Sequence, residues 1–114
     1  MIPGLMSLRA PIAVPVQISA DGRRAFRLSR SIGEDGVRLS LPAPFEPRRP
    51  VEVSFGLPDD VTPPIALRAE VGNTDQDRDA AERSEGRELL FIEPPEADRA
   101  RLRRYVASRL GLPG

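Results

Sequence analysis

The chain contains 114 residues, with no cysteine and no histidine, and its 17 basic residues are balanced by 17 acidic ones, so the formal net charge is zero. This length suits one domain around a single core. The composition excludes Cys/His zinc sites, thiol catalysis and histidine acid–base chemistry, and zero net charge gives no overall preference for nucleic acid or an anionic membrane.

The first predicted strand covers residues 11–19. Its apolar residues recur at every second position, which places them on one face of a strand: Ile12, Val14, Val16 and Ile18. Pro11 and Pro15 cannot donate to a β-ladder, so the pattern predicts an edge strand or a bulge. Asp21-Gly22, after Ala20, is typical of a hairpin turn.

Two further predicted strands flank a polar turn at residues 33–36. In the strand at 25–30, Phe26 and Leu28 alternate with Arg27 and Ser29. In the strand at 37–42 the alternating apolar residues are Val37, Leu39 and Leu41. Both segments therefore have the period-two pattern of strands.

The second half of the chain continues the same alternation. A proline-rich connector at 42–47 precedes a strand at 50–57, and Pro63-Pro64 precedes a strand at 65–71. Residues 73–86 are polar and aperiodic, which predicts a long hairpin loop before the sixth strand at 87–92.

A helical period appears only at the end of the chain. Pro94-Pro95, Glu96 and Asp98 favour a helix start, Arg104 and Arg109 suit the negative end of its dipole, and Gly111 and Pro113 favour its end. The apolar residues fall on one stripe: Leu102, Tyr105, Val106 and Leu110. Six strands and one amphipathic helix predict a mainly β fold, a six-stranded antiparallel barrel with a C-terminal α-helix.

The segment Ser31-Ile32-Gly33-Glu34-Asp35-Gly36 resembles the second signature of PilZ domains, Asp/Asn-x-Ser-x-x-Gly, which helps to bind cyclic di-GMP. The final glycine is present as Gly36, whereas Ser31 replaces the acid or amide and Gly33 replaces the serine. The proline-linked middle strands, the segment 86–92 and the helix that follows are also similar to the family. The resemblance implies a PilZ-like domain over 9–110, with tails at 1–8 and 111–114.

The other PilZ signature, Arg-x-x-x-Arg, stands just before the first strand. In the family its arginines bind guanine edges and phosphates, which suits a planar bidentate donor. Only Arg9 occupies that region here, and Leu5 stands four residues earlier. A literal match at 23–27 lies on the wrong side of the first strand, and we interpret it as coincidental. Each lost charge-assisted hydrogen bond removes about 1.5–3 kcal/mol, so the substitutions imply that cyclic di-GMP binding and its cofactor role are lost.

The resemblance therefore implies a non-enzymatic regulatory module that acts through protein–protein contacts in bacterial signalling, in motility, pili, polarity or exopolysaccharide control. The alternative is a cyclic di-GMP receptor with a non-standard site formed by Arg9, Ser31, Gly33 and Gly36. A cytoplasmic location is expected from the family. The sequence agrees, because it contains no apolar run near the ~18 residues of a membrane span and no signal-peptide pattern at its start.

Other kinds of site receive little support. Asp75, Asp77 and Asp79 have the spacing of a calcium loop, but Ala80 and Gly86 replace its glycine and its closing glutamate, so no metal site is predicted. No catalytic residues are predicted, since there is no histidine for a triad. The helix has a basic face with few aromatic residues, which disfavours nucleic acid. It favours a protein partner or a second copy of the chain, with these candidate contact residues: Arg101, Arg104 and Tyr105.

Overall fold

A computed structural model describes residues 8–58, 63–72 and 87–112 of the chain. Seven strands precede one helix in this part of the chain. They are β1 (Arg9–Ala10), β2 (Pro15–Ala20), β3 (Arg23–Gly33), β4 (Gly36–Leu39), β5 (Pro50–Phe55), β6 (Ile65–Val71), β7 (Glu88–Phe91) and α1 (Glu96–Leu110). The predicted loop at 73–86 and the helix-ending Pro113 lie outside the described residues.

The strands form one closed antiparallel sheet. Their order is β1-β3-β2-β5-β6-β7-β4, and β3 also pairs with β4, which closes a barrel of the six strands β2 to β7. The short β1 adds to the far end of β3, with Arg9 opposite Gly33 and Ala10 opposite Ile32. The fold class predicted from the sequence is therefore confirmed, and closure leaves β2 to β7 without the exposed edges of an open sheet.

The barrel interior is filled by the apolar residues of the alternating strands. In β6, for example, Ile65, Leu67, Ala69 and Val71 are all buried, and the intervening residues face outward. The predicted alternation holds equally in the β2 region and in β5. Because each fully buried Val, Leu or Ile contributes about 1.5–3 kcal/mol, this shared interior face accounts for the choice of register.

The strand predicted at 11–19 corresponds to β2, and its predicted position at an edge of the sheet is wrong. β2 pairs with β3 on one side and with β5 on the other. Pro15 is accommodated because it is the first residue of β2, whereas pairing with β5 begins only at Gln17. The preceding N–H, of Val14, donates to the hydroxyl of buried Ser29 at 3.0 Å, and that hydroxyl donates to the Ile12 carbonyl. A buried serine therefore replaces missing ladder hydrogen bonds.

In β3 the apolar residues of the alternation face solvent rather than the core. Phe26 is 57% exposed and Leu28 is 52% exposed, while Ser29 is buried. The pairing with β4 shifts between Ser29 and Ser31, and beyond this irregularity Ile32 is fully buried. A one-residue shift of this kind reverses which side chains face inward. Odd-numbered residues therefore face inward before the shift, as Ser29 does, and even-numbered residues face inward after it, as Ile32 does.

Strand β4 ends earlier than predicted, whereas the first hairpin turn lies where it was predicted. β4 ends at Leu39, and Leu41, which was predicted to extend it, is 58% exposed. The hairpin between β2 and β3 turns at Asp21-Gly22, as predicted. Both residues have positive φ, of 53° and 77°, as a two-residue hairpin turn of type I′ requires.

Helix α1 covers one side of the barrel near β1 and β3. Leu102 and Val106 are buried and Tyr105 packs against the core, but Leu110, in the last turn, is 38% exposed. The helix ends at Gly111, whose φ of 74° lets its N–H and that of Leu112 bond to carbonyls of the last turn. The helix and its glycine end were predicted correctly.

Candidate functional site

The hairpin between β3 and β4 and the short strand β1 form one site. β3 runs to Gly33, β4 begins at Gly36, and Glu34-Asp35 form the connection between them. The β1–β3 pairing places Arg9 directly opposite Gly33. Three of the four residues named for a nucleotide site are therefore brought together here, while Ser31 lies further back in β3, opposite Arg38.

Two carboxylates of the same chain bind the Arg9 guanidinium. Its Nε donates to Asp35 Oδ1 at 3.1 Å, and its Nη1 lies 2.9 Å from both carboxylate oxygens of Glu88 on β7. Nη1 of Arg38 makes a longer contact, 3.5 Å from Oε2 of Glu88. The side chains of Arg9 and Glu88 are only 20% and 14% exposed, so this is a largely desolvated ion cluster.

The electrostatic setting keeps Arg9 charged. Burial alone would lower the pKa of its guanidinium. The negative charges of Glu88 and Asp35, and the hydrogen bonds that Arg9 donates to them, outweigh burial and raise the pKa above its ordinary value. Arg9 is therefore a permanent cation whose charge-assisted hydrogen bonds are directed at internal acids.

Gly33 and Gly36 are required by space. A Cβ at Gly33 would lie 2.5 Å from the Leu8 carbonyl oxygen and 2.7 Å from Cγ of Arg9. A Cβ at Gly36 would collide with the Leu89 carbonyl oxygen and lie 3.0 Å from Nη2 of Arg9. Neither glycine has a positive φ, so close approach of β1 and β7 is the reason for glycine. The serine that PilZ domains carry at position 33 would obstruct this placement of Arg9.

The second acid of the connection joins the hairpin to the helix. Glu34 Oε1 lies 3.1 Å from Nη1 of Arg103 and 3.3 Å from Nη2 of Arg99, and the Glu34 side chain is only 16% exposed. Arg103 also contacts Glu96 at 3.0 Å. Part of the basic helix face predicted from the sequence is therefore occupied by ion pairs within the chain.

The three partner-contact candidates on α1 have different surroundings. Arg104 is exposed, whereas Arg101 is partly buried and takes part in an interaction within the chain. Tyr105 is partly buried against the core, the guanidinium carbon of Arg109 lies 5.8 Å from its ring centroid, and its hydroxyl is buried without a hydrogen-bond partner among the described residues.

The arginines at 23–27 lie far from Arg9. Arg23 begins β3 and Gly33 ends it, so at ~3.3 Å per residue they are about 33 Å apart. Arg23 lies over the ring of Phe45 at 5.1 Å, and Arg27 donates to the Pro42 carbonyl at 2.9 Å. Two arginines of the literal Arg-x-x-x-Arg match, Arg23 and Arg27, therefore contact the connector 42–47. Beside Arg23 lies an open cleft of about 410 Å³, bounded by Asp21, Phe45 and Arg49.

Within the described ranges, the structure contains no group of three or more acidic side chains placed to hold a metal ion. The Asp75–Asp79 segment considered as a calcium loop lies outside those ranges. In the same part of the chain, no helix is both long and apolar enough to cross a bilayer.

The sequence patterns indicated Arg9 and the glycines as candidates, but they did not indicate Glu88, which binds Arg9. Seventy-nine positions separate the two residues, and no local pattern indicates such a contact. The sequence offered only an indirect signal for Glu88. It alternates with buried Leu89, which places Glu88 on the outward side of β7, beside β4.

A closed six-stranded antiparallel barrel with a C-terminal helix, and an arginine held against a glycine-bearing hairpin, define a class of small regulatory binding modules. The PilZ domain model matches residues 6–108, and the chain belongs to the PilZ domain family. None of the curated protein sequences matches it.

Two solved structures share the fold. MotI/DgrA, the inhibitor of motility from Bacillus subtilis, aligns with a TM-score of 0.73 and 22% identity over 96% of this chain and 52% of the other. The PilZ domain of CeSA from a cellulose-synthesizing bacterium aligns with a TM-score of 0.62 and 15% identity, over 90% of this chain and 97% of the other. This chain thus spans about half the length of MotI/DgrA.

Proposed function

We propose that this PilZ-type regulator is a non-enzymatic cytoplasmic module that acts through contacts with a protein partner and does not bind cyclic di-GMP. One observation carries the proposal: the guanidinium of Arg9 is already bound by Asp35 and Glu88. The structural likeness to MotI/DgrA, an inhibitor of motility, makes motility the first process to test, ahead of pili, polarity and exopolysaccharide control.

The internal acids oppose an anionic ligand in two ways. A phosphate that approached Arg9 would meet the negative charges of Asp35 and Glu88, within about 3 Å of the same guanidinium. Displacing Glu88 would also leave a carboxylate that is 14% exposed with only the 3.5 Å contact to Arg38. Charge-assisted hydrogen bonds contribute about 1.5–3 kcal/mol each, so a nucleotide would have to replace them before gaining any affinity.

The substitution at position 33 supports the same conclusion. Gly33 lets the Arg9 side chain lie across the hairpin, and the hydroxyl that would contact a nucleotide in the family is absent with it. With Leu5 in place of the other signature arginine, Arg9 is the single signature arginine and it is internally neutralised. The scaffold of the nucleotide site is retained while its ligand contacts are replaced.

Isothermal titration with cyclic di-GMP tests the proposal. We expect no saturable heat up to about 100 µM ligand, a concentration at which a micromolar site would be filled. Micromolar or tighter binding that Arg9→Ala abolishes would establish the alternative function, a cyclic di-GMP receptor at Arg9, Ser31, Gly33 and Gly36. Arg104→Ala is the matched control, because it removes an exposed arginine outside the hairpin.

A further inference from the structure

The outward face of the first half of β3 carries exposed apolar side chains between two exposed arginines. Phe26 and Leu28 are 57% and 52% exposed, and they alternate with inward residues between Arg24 and Arg30. At ~3.3 Å per residue, the two arginines are about 20 Å apart along the strand. We call Arg24, Phe26, Leu28 and Arg30 the β3 strip.

The strip differs from the outward faces of other strands of the barrel. The outward residues of β5 include Glu52 and Ser54, and those of β6 include Arg68 and Glu70, as expected for a solvated face. Phe26 also differs from the other phenylalanines, since Phe55 and Phe91 stack with ring centroids 6.3 Å apart and Phe45 packs against the core. Clustered exposed apolar residues of this kind mark interaction sites.

The charges around the strip specify its partner. The β2 residues opposite Phe26 and Leu28 are Gln17 and Pro15, which are uncharged, while the strip ends in arginine on both sides. A complementary surface has apolar side chains at its centre and acids around them, because aromatic anchors supply affinity and opposite charges fix orientation.

We propose that the β3 strip docks an acidic segment of a partner protein that inserts apolar side chains against Phe26 and Leu28. This inference rests on the proposed function, since it names the surface and the partner chemistry through which the module acts. It places the contact on β3 rather than on the α1 residues Arg101, Arg104 and Tyr105.

Photo-crosslinking in the native host tests this surface. The photoreactive residue p-benzoylphenylalanine replaces Phe26 in one variant and Leu90, a 41% exposed leucine on β7, in the control variant. The crosslinked segment is mapped by mass spectrometry. We expect the variant at 26, and not that at 90, to crosslink to a segment that is net acidic and contains apolar residues.

Binding of the mapped segment, synthesised as a labelled peptide, is then measured by fluorescence anisotropy. Phe26→Ser and the pair Arg24→Glu with Arg30→Glu should each weaken binding at least about tenfold, whereas Leu90→Ser should leave it unchanged. Thermal melting monitored by circular dichroism checks that the variants remain folded. Because the substituted side chains are largely exposed, we expect little change in stability.

Several outcomes would overturn the assignment of the strip: no crosslink from position 26, a neutral or basic segment, a second copy of this chain, or nucleic acid. A third variant carries the photoreactive residue at Arg104 on α1. A protein crosslinked only from that variant would reject the strip but leave the proposed function standing. The proposed function itself would fail if no position crosslinked a protein and the titration showed micromolar cyclic di-GMP binding.

Discussion

Replacing Arg9 by methionine tests the ion cluster most directly, because methionine keeps most of the apolar stem and removes the charge. Glu88, 14% exposed, would lose its contacts at 2.9 Å and keep only Arg38 at 3.5 Å. Asp35, 39% exposed, would lose one contact at 3.1 Å.

The expected loss lies between the values for buried and exposed pairs. Breaking a fully buried pair costs about 3–5 kcal/mol, and an exposed pair contributes about 0–1 kcal/mol. Since Arg38 remains beside Glu88, and water screens more than a third of Asp35, we expect a loss of about 2 kcal/mol. For a chain of 114 residues, that corresponds to a decrease in Tm of about 8 °C.

Equilibrium urea unfolding measures this loss, with Arg104→Met as the control variant on an exposed arginine. A double-mutant cycle that combines Arg9→Met with Glu88→Gln should give a coupling energy of about 1 kcal/mol or more. The corresponding cycle with Asp35→Asn should give a smaller value, because Asp35 is more exposed. The reasoning would be refuted if Arg9→Met cost less than about 0.5 kcal/mol, or if its effect were additive with that of Glu88→Gln.

Four further predictions follow from the same geometry. Gly36→Ala should lower the free energy of unfolding by about 2 kcal/mol or more, because the new Cβ would be overpacked against the Leu89 carbonyl. The control is Gly56→Ala, whose Cβ would have nothing within 4 Å. In urea unfolding the control should change the free energy by less than about 1 kcal/mol. Leu5→Arg alone should not create cyclic di-GMP binding, whereas Leu5→Arg combined with Glu88→Gln should give measurable heat on titration with the nucleotide. The same heat from both variants would contradict the idea that Glu88 neutralises Arg9. The raised pKa of Arg9 means that its stabilising charge is fully present below its unfolded-state pKa and is lost only as pH rises through the higher folded-state value. The loss caused by Arg9→Met should therefore be the same at about pH 7 and about pH 10. DNA binding measured against salt should be weak throughout, and tight binding with a steep salt-dependent loss would favour a nucleic-acid function instead.

Local sequence patterns correctly predicted β6 and the helix. The alternation of Ile65, Leu67, Ala69 and Val71 gave the correct inward face of β6, because both neighbouring strands pair with it in an uninterrupted register. The helix was predictable from its stripe and from Gly111, since these signals depend only on residues within a few turns.

The same reasoning did not predict the orientation of β3. Phe26 and Leu28 have the alternation of a core strand, but the shift in pairing between Ser29 and Ser31 reverses the inward side. That shift depends on where β4 meets β3, which is a long-range property of the closed barrel. The interior position of β2 was missed for a similar reason, since the buried hydroxyl of Ser29 compensates for Pro15 from another strand.

The sequence by itself determined the barrel-plus-helix class and the PilZ resemblance, and it indicated Arg9, Gly33 and Gly36 as candidate site residues, because these depend on residue types and on short-range spacing. Only the tertiary structure decided that Glu88 and Asp35 bind Arg9 and that Phe26 faces solvent. An ion pair between residues 79 positions apart exists only when barrel closure brings β1, β4 and β7 together. The chemistry of the hairpin therefore follows from the closed sheet rather than from its own six residues.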